Sequence, residues 1–330
     1  MGVPHGLNAM MSPHIIAASG QRRGRVAVSS NNSLADWVAR STAAGVVQAM
    51  RFASSSNVTT YTHGDALAGN VVFDSADGII GDGCLKINVF QADGANSGSW
   101  RIPLNAAWVT DQQGFGSSDF YVQFRMKLGP NRLTPSVNGG GFKMSILSEY
   151  KPSSPSSSGS HSSNEIVLNN NLYRGILFAY REHPVSGTTG FETDDGSGGF
   201  YLQTAVDHGA GVSDPNDRYC KYQSGAASAG CWFLHEQEWV TVYMHVKIVD
   251  YGGAGTGNQI DVYVARAGET SYTYLFNNRD FRIGSDSNLP LGVNGLWLLP
   301  YDTARTSAAN DTWHKYDQVI VSTQPIALPQ

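Results

Sequence analysis

Apolar and polar residues alternate one for one along several stretches of this chain, the period of a strand with one buried face. In DFYVQFRMKL, Phe120, Val122, Phe124, Met126 and Leu128 share one side, while Tyr121, Gln123, Arg125 and Lys127 share the other. EWVTVYMHVKIV repeats the pattern, setting Val240, Val242, Met244, Val246 and Ile248 against Trp239, Thr241, Tyr243, His245 and Lys247. GCLKINVF, SWRIPL, GFKMSIL, NEIVLNN, RGILFAY, GFYLQTAV, QIDVYVAR, GLWLLPY and YDQVIVS bring the set to about a dozen strands, separated by Gly, Asn, Asp and Ser clusters that read as turns. Helix signals are confined to LADWVARSTAAGVVQAM, with Asn32 and Ser33 as caps, and from Val46 and Val47 onward that stretch reads equally as a first strand. Many strands and almost no helix predict an all-β, two-sheet antiparallel sandwich over residues 31–330. Residues 1–30 lack alternation, carry Arg22, Arg23 and Arg25, and read as an irregular N-terminal arm that orders on a partner. KPSSPSSSGSHSSN is a surface loop by composition, either bordering a ligand groove or idle, and DYGGAGTGN is a second loop.

Composition narrows the function. At 330 residues and 41% hydrophobic content the chain can bury a sizeable core, yet no run nears the roughly 18 unbroken apolar residues of a membrane span. There is no Lys/Arg block and the net charge is −5, so neither a nucleic acid nor a membrane is expected as a partner. Low charge with abundant Gly, Ser, Asn, Thr and aromatics fits an extracellular β-protein that meets polar partners. The segment MGVPHGLNAMMSPHIIAASGQRRGR puts its basic residues after a weak apolar patch broken by Pro13 and His14, the reverse of signal-peptide order. Release by cell lysis reconciles the two, as for a protein displayed on a virion. Cys220 and Cys231 bracket ten residues and either close a disulfide or remain buried thiols; Cys84 stands alone in a strand.

Several chemistries are absent from the sequence: it has no G-x-S-x-G elbow, no C-x-x-C pair, no phosphate-cradling glycine loop. HEQEW has Trp239 where a zinc helix needs its second histidine, so His235, Glu236 and Glu238 read as turn residues entering a strand. Glu192 and Asp194, in FETDDGSGG, are two residues apart, but Ser197 stands where a third acid would complete a glucanase set; a solvated or calcium-binding loop is the competing reading. The remaining constellation is a face. If the two long strands are neighbours, Tyr121, Gln123, Arg125, Lys127, Trp239, Tyr243, His245 and Lys247 form a glycan-binding groove, with aromatics to stack on sugar rings and polar groups for hydroxyls. Tyr243, His245, Lys247 and Arg125 would also suit β-elimination on a uronic-acid polymer, which needs a base and a cation. An ordinary solvent face is the third alternative. Trp297 is expected in the core and Trp313 beside the last strand.

GLWLLPYDTARTSAANDTWHKYDQVIVSTQPIALP, with its PY-x-T turn and YD-x-V-x-V-S strand, resembles the closing strands of concanavalin A-like lectin/glucanase jelly rolls of bacteria and phages. DGCLKINV, SGSWRIPLN, DFYVQFRMKL, GGGFKMSIL and WVTVYMHVKI follow in the order of that fold, so the likeness spans about Val46 to Pro329. It implies a jelly roll with a polysaccharide or cell-surface glycan on its concave sheet, no required cofactor, and a structural calcium at Asp317 completed by backbone oxygens. The acid triad of the glucanase branch and the R-[ST]-E-[LV]-R and Q-[IV]-H signatures of the alginate-lyase branch are missing, and NQID supplies no histidine. The expectation is therefore a non-catalytic glycan-binding or structural jelly roll on a phage or prophage particle, docked or oligomerised through the N-terminal arm. The alternative is an endo-acting polysaccharide depolymerase, a lyase rather than a hydrolase.

Overall fold

The computed structural model describes residues 33–59, 68–93, 97–104, 119–133, 141–148, 165–171, 176–182, 193–194, 200–201, 222–223, 226–227, 232–250, 256–279, 293, 295–302 and 310–330. Its elements are α1 (Leu34–Ser41), β1 (Val46–Met50), α2 (Ser55–Thr59), β2 (Val71–Asp74), β3 (Cys84–Val89), β4 (Trp100–Pro103), β5 (Asp119–Leu128), β6 (Phe142–Ser148), β7 (Glu165–Asn171), β8 (Ile176–Glu182), β9 (Thr193–Asp194), β10 (Phe200–Tyr201), β11 (Tyr222–Gln223), β12 (Ala226–Ala227), β13 (Trp239–Lys247), β14 (Gln259–Arg266), β15 (Thr273–Arg279), β16 (Gly295–Leu298) and β17 (Thr312–Ser322). Two antiparallel sheets carry the fold. One, of eight strands, runs β15-β14-β13-β5-β17-β3-β2, with β1 also pairing β17; the other, of seven, runs β4-β16-β6-β7-β8-β10-β9. The sandwich expected from the pattern is therefore the fold, and the two long alternating stretches are the adjacent strands β5 and β13.

Between the sheets lies the apolar half of each alternating strand: Phe120, Val122, Phe124 and Met126 from β5 and Val240, Val242, Met244 and Val246 from β13 face Met144, Ile166, Leu168, Leu296 and Leu298. Burying such side chains contributes about 1.5–3 kcal/mol apiece, which is why alternation alone predicts the strands and their inward faces. Short strands escaped this reading: VVFD (β2) offers too few residues to show a period, and TYLFNNR (β15) ends in three polar residues. Of GFYLQTAV, only Phe200–Tyr201 is a strand among the described residues.

The ambiguous stretch after Ser33 is both things in turn. Ser33 caps α1 through its side-chain oxygen, which accepts from the Asp36 amide at 3.1 Å. The helix ends at Ser41, the chain turns at Gly45 (φ +88°), and β-branched Val46 and Val47 open β1. A Cβ at Gly45 would lie 2.6 Å from the Gln324 side chain, so glycine is required by both the turn and the close approach. β17 carries a bulge: its register with β5 jumps from Asp317 opposite Arg125 to Ile320 opposite Gln123, with Gln318 at φ +51°. The arm 1–30, the loop 151–164 and both Cys220 and Cys231 lie outside the described residues.

Candidate functional site

The register places the eight predicted groove residues on one face of the eight-stranded sheet. Trp239 pairs with Lys127, Thr241 with Arg125, Tyr243 with Gln123, His245 with Tyr121 and Lys247 with Asp119. The face is not an open groove. Its middle is covered by α1 and the C-terminal tail: Trp37, Tyr243, Ile320 and Ile326 form a second apolar cluster, with Tyr121, Tyr263 and Tyr272 packed against it. Arg125 is 1% exposed, Gln123 and Tyr243 are also buried, and the expectation of a continuous accessible surface fails at these three. Burial pushes the Tyr243 and Tyr272 phenols well above the ordinary 10 and holds the Arg125 guanidinium down at about 10, lowered further by Arg40.

Arg40 organises this covering. Its Nε donates to Asp36 at 2.9 Å, Nη1 to the Gln123 side-chain oxygen at 2.6 Å and Nη2 to that of Gln318 at 2.7 Å. The bulge in β17 is what turns Gln318 outward, beside Gln123, so that two neutral acceptors grip one guanidinium. Gln123 Nε2 donates in turn to Tyr272 and to the Ala327 carbonyl, and the Gln330 amide donates to Asp36.

The two ends of the face differ. At one, Lys127 and Lys315 both pair with Asp77 of the loop after β2, at 2.9 and 2.7 Å, and Lys315 also pairs with Asp74 at 2.8 Å. At the other, the His245 ring stacks on Tyr121 (4.3 Å, 10°), which continues to Tyr243 and Tyr272 in near-parallel rings. His245 Nε2 lies 2.7 Å from Asp119 and Nδ1 3.4 Å from Asp261. Burial alone would lower the His245 pKa; the hydrogen bonds to Asp261 and Asp119 outweigh it and hold it above 6.5. A protonated imidazole clamped between two carboxylates ties β5, β13 and β14 together. Tyr121, Lys127, Trp239, His245 and Lys247 retain partial exposure.

Asp317 is engaged by backbone amides. Its oxygens accept from the backbone amides of Ile79 (3.2 Å) and Gln318 (2.8 Å), and Asp82, the neighbouring carboxylate, is paired with Arg51 at 2.9 Å. Calcium takes about six to eight oxygens, and no group of three or more acidic, His or Cys side chains suited to a metal occurs among the described residues. Asp317 anchors the loop 75–83 to β17 through these amides, with Asp82 close enough to act on its charge. Burial raises its pKa to about 6 against those amide bonds, with Asp82 adding to the rise.

Other expectations resolve locally. Glu236 accepts from the amides of Asn131 (3.0 Å) and Leu133 (2.6 Å), and Glu238 pairs with Arg266, so HEQE is the turn entering β13. Glu192 lies outside the described residues, and Asp194 is placed only as a strand position in β9. Cys84 is a free buried thiol whose pKa burial pushes up to about 12, which makes it unreactive.

A second face was missed. Trp297 is buried, as expected, but in a separate apolar cluster with Ile146, Val167 and Leu299 on the outer side of the seven-stranded sheet, because the inward positions of β16 are Leu296 and Leu298. Arg101, its partner on β4, stacks its guanidinium over the indole. Further along, Lys143 of β6 holds its ammonium 5.3 Å from the ring centre of Tyr301, and Asn169 is the strand partner of Lys143. Lys143 and Tyr301 are partly exposed, while Arg101, Asn169 and Trp297 are buried. The sequence held a signal for this: in SWRIPL, GFKMSIL and GLWLLPY the residues out of phase with the apolar ones are Arg101, Lys143 and Trp297.

No helix among the described residues is long and apolar enough to cross a membrane. No protein-family profile matches the chain, and no curated protein matches it by sequence. Among solved structures, the marine PL-14 alginate lyase from Aplysia kurodai matches with a TM-score of 0.53 at 12% identity, over 85% of this chain and 100% of that one. The alginate lyase Aly36B matches at 0.42 and 10% identity over 88% and 96%. A carbohydrate esterase from the Shiga toxin-encoding bacteriophage phi24B matches at 0.40 and 11% identity over 86% and 99%. At these identities the likeness establishes architecture: the chain is an all-β jelly-roll sandwich.

Proposed function

We propose that the protein is a non-catalytic jelly roll that binds an anionic polysaccharide on the outer face of its seven-stranded sheet. One juxtaposition carries this reading: Lys143 of β6 and Tyr301, just after β16, form a partly exposed cation–aromatic pair, with Arg101 stacked on Trp297 buried on the same side of the sheet. A pyranose presents a CH face to an aromatic plane, and its carboxylate seeks a guanidinium or ammonium. Arg101 and Trp297 are buried, as are Gln123, Arg125 and Tyr243 of the opposite sheet, so Lys143 and Tyr301, both partly exposed, are the groups that support contact with a ligand. Display on a phage or prophage particle through residues 1–30 belongs to the same proposal; its support is the basic, non-alternating sequence there, and immunodetection on purified particles tests it.

The adjacency of Tyr301 and Lys143 favours one second reading, cleavage by β-elimination, and the architecture shared with an alginate lyase supports it. In such a step a base removes the C5 proton, the C4–O bond breaks as the C4=C5 bond forms, and the leaving oxygen takes up a proton. Tyr301 would serve as the base and Lys143 would neutralise the carboxylate. Titration calorimetry against uronate-rich and neutral bacterial polysaccharides, with product absorbance and reducing ends followed in parallel, separates the readings. Saturable binding of a uronate polymer, weakened about tenfold by Lys143→Ala or Tyr301→Ala, is expected. No binding to any acidic polymer, or unchanged affinity in both variants, overturns the proposal, and unsaturated product replaces it with the lyase.

A further inference from the structure

We infer that Arg132, acting from inside the sandwich, is the positioning residue that holds Tyr301 on the outer face of the seven-stranded sheet. The functional weight of this inference rests on the polysaccharide-binding reading above; the positioning itself does not. Arg132 follows β5 and its guanidinium is buried between the sheets, lying 4.0 Å over the Phe142 ring. Its Nη2 donates to the Pro300 carbonyl at 3.1 Å and its Nη1 to the Asp302 carboxylate at 2.6 Å. These two residues flank Tyr301. Successive side chains in extended chain point to opposite sides, so the inward Asp302 side chain leaves the Tyr301 ring outward, where Lys143 meets it, and the bond to the Pro300 carbonyl holds the backbone just before it.

The same segment is also tied by backbone. Phe142 bridges Asp302, and the Lys143 amide donates to the Tyr301 carbonyl at 2.8 Å. Backbone pairing opposite the inward Phe142 sets the height of Tyr301 along β6 and its outward sense, and the guanidinium clamps the residues on either side of it. The remaining donor, Nε, meets His314 Nε2 at 2.6 Å. Because that nitrogen accepts, the neutral His314 carries its proton on Nδ1, 3.2 Å from Tyr316 Oη, whose hydroxyl donates to the Met144 carbonyl at 2.8 Å. The chain of donors therefore runs one way, from Arg132 through His314 and Tyr316 to β6, the strand that carries Lys143. Arg132 thus holds both partners of the outer pair: Tyr301 through its two neighbours, and β6 through a hydrogen-bonded relay.

A buried ion pair is a poor source of stability compared with apolar packing, so its use here fits a role in specifying geometry. The test places fluorotyrosine at position 301 of the full-length protein and reads its fluorine resonance in Arg132→Lys, Asp302→Asn and the core variant Val319→Ala. Val319 is buried in the core and touches neither Tyr301 nor Lys143 in any hydrogen bond or ring contact described above, so it reports general loss of stability. Expected is a shifted or broadened Tyr301 signal in Arg132→Lys and Asp302→Asn, no change in Val319→Ala at a similar loss of Tm, and uronate-polymer affinity reduced about tenfold in the first two. Asp302→Asn keeps an acceptor at its oxygen, so it carries the test if Arg132→Lys does not fold. An unchanged Tyr301 signal in either folded variant, or an equal change in Val319→Ala, overturns the positioning role. A moved signal in a protein that binds no polysaccharide leaves the positioning standing and removes only the functional reading.

Discussion

Two side chains govern how stability responds to pH, and they act in the same direction. The Asp317 carboxyl is raised to about 6 from an ordinary 3.8, so between those values the folded state holds a proton that the unfolded chain gives up, and stability falls as pH rises. His245 is raised above 6.5, so its ion pairs contribute fully below that pH and are lost as pH climbs through the folded value. Asp74 and Asp77 work the other way: burial opposes their ionisation, but hydrogen bonds from Lys315, and from Lys127 to Asp77, hold them below 3.8, a contribution lost only in stronger acid. Calorimetric Tm measured against pH is expected to decline from about pH 4 upward. Asp317→Asn should flatten the decline below pH 6, and His245→Gln the decline near neutrality. A Tm that rises steadily across this window would contradict both assignments. A chelator that lowers Tm, with added calcium restoring it, would place a cation at Asp317; a Tm unmoved by both would leave the carboxylate to its backbone amides.

Helix α1 is a short element, and eight residues have little intrinsic helical stability in water. What holds it is the sheet beneath, through Trp37 in the second apolar cluster and Arg40 in its three-way grip. Removing a buried, fully bonded guanidinium leaves Gln123, Gln318 and Asp36 without their donor. Arg40→Ala should therefore lower the unfolding free energy by about 3 kcal/mol, read from urea denaturation. Truncation after Ser322 removes Ile326 and the Ala327 carbonyl and exposes Tyr243. Hydrogen exchange of the α1 amides is expected to accelerate in that variant while β7 and β8 of the other sheet stay protected. Equal acceleration everywhere would mean that the tail stabilises the whole sandwich rather than the helix.

Considered as one body, the sandwich has two outer faces, each with buried aromatic and cationic side chains. The eight-stranded sheet has its outer face covered by the two ends of its own domain, which meet where Gln330 bonds Asp36. The seven-stranded sheet presents Lys143 and Tyr301 partly exposed on its outer side, while Arg101 and Trp297 are buried there. Binding there should weaken with salt, because each cation–carboxylate contact at a partly exposed site is screened. A titration at increasing ionic strength checks this, and an affinity indifferent to salt would mean that stacking alone carries the ligand.

Alternation along the chain was sufficient for the strands of the core and for the sidedness of β5 and β13, because burial of every second side chain is a local consequence of the pleat. It also fixed His235, Glu236 and Glu238 as a turn and placed Tyr121 and His245 on a common face once the two strands proved to be neighbours. Which face would remain accessible was decided only by tertiary structure. Arg40 and Gln123 are 83 positions apart and Arg40 and Gln318 are 278, and no periodicity encodes a contact between a helix, a strand interior and a bulge at such separations. The same holds for Arg132, whose partners His314 and Asp302 lie 182 and 170 positions away. Local pattern determines which side of a strand is oily; long-range packing determines what comes to lie on the other side.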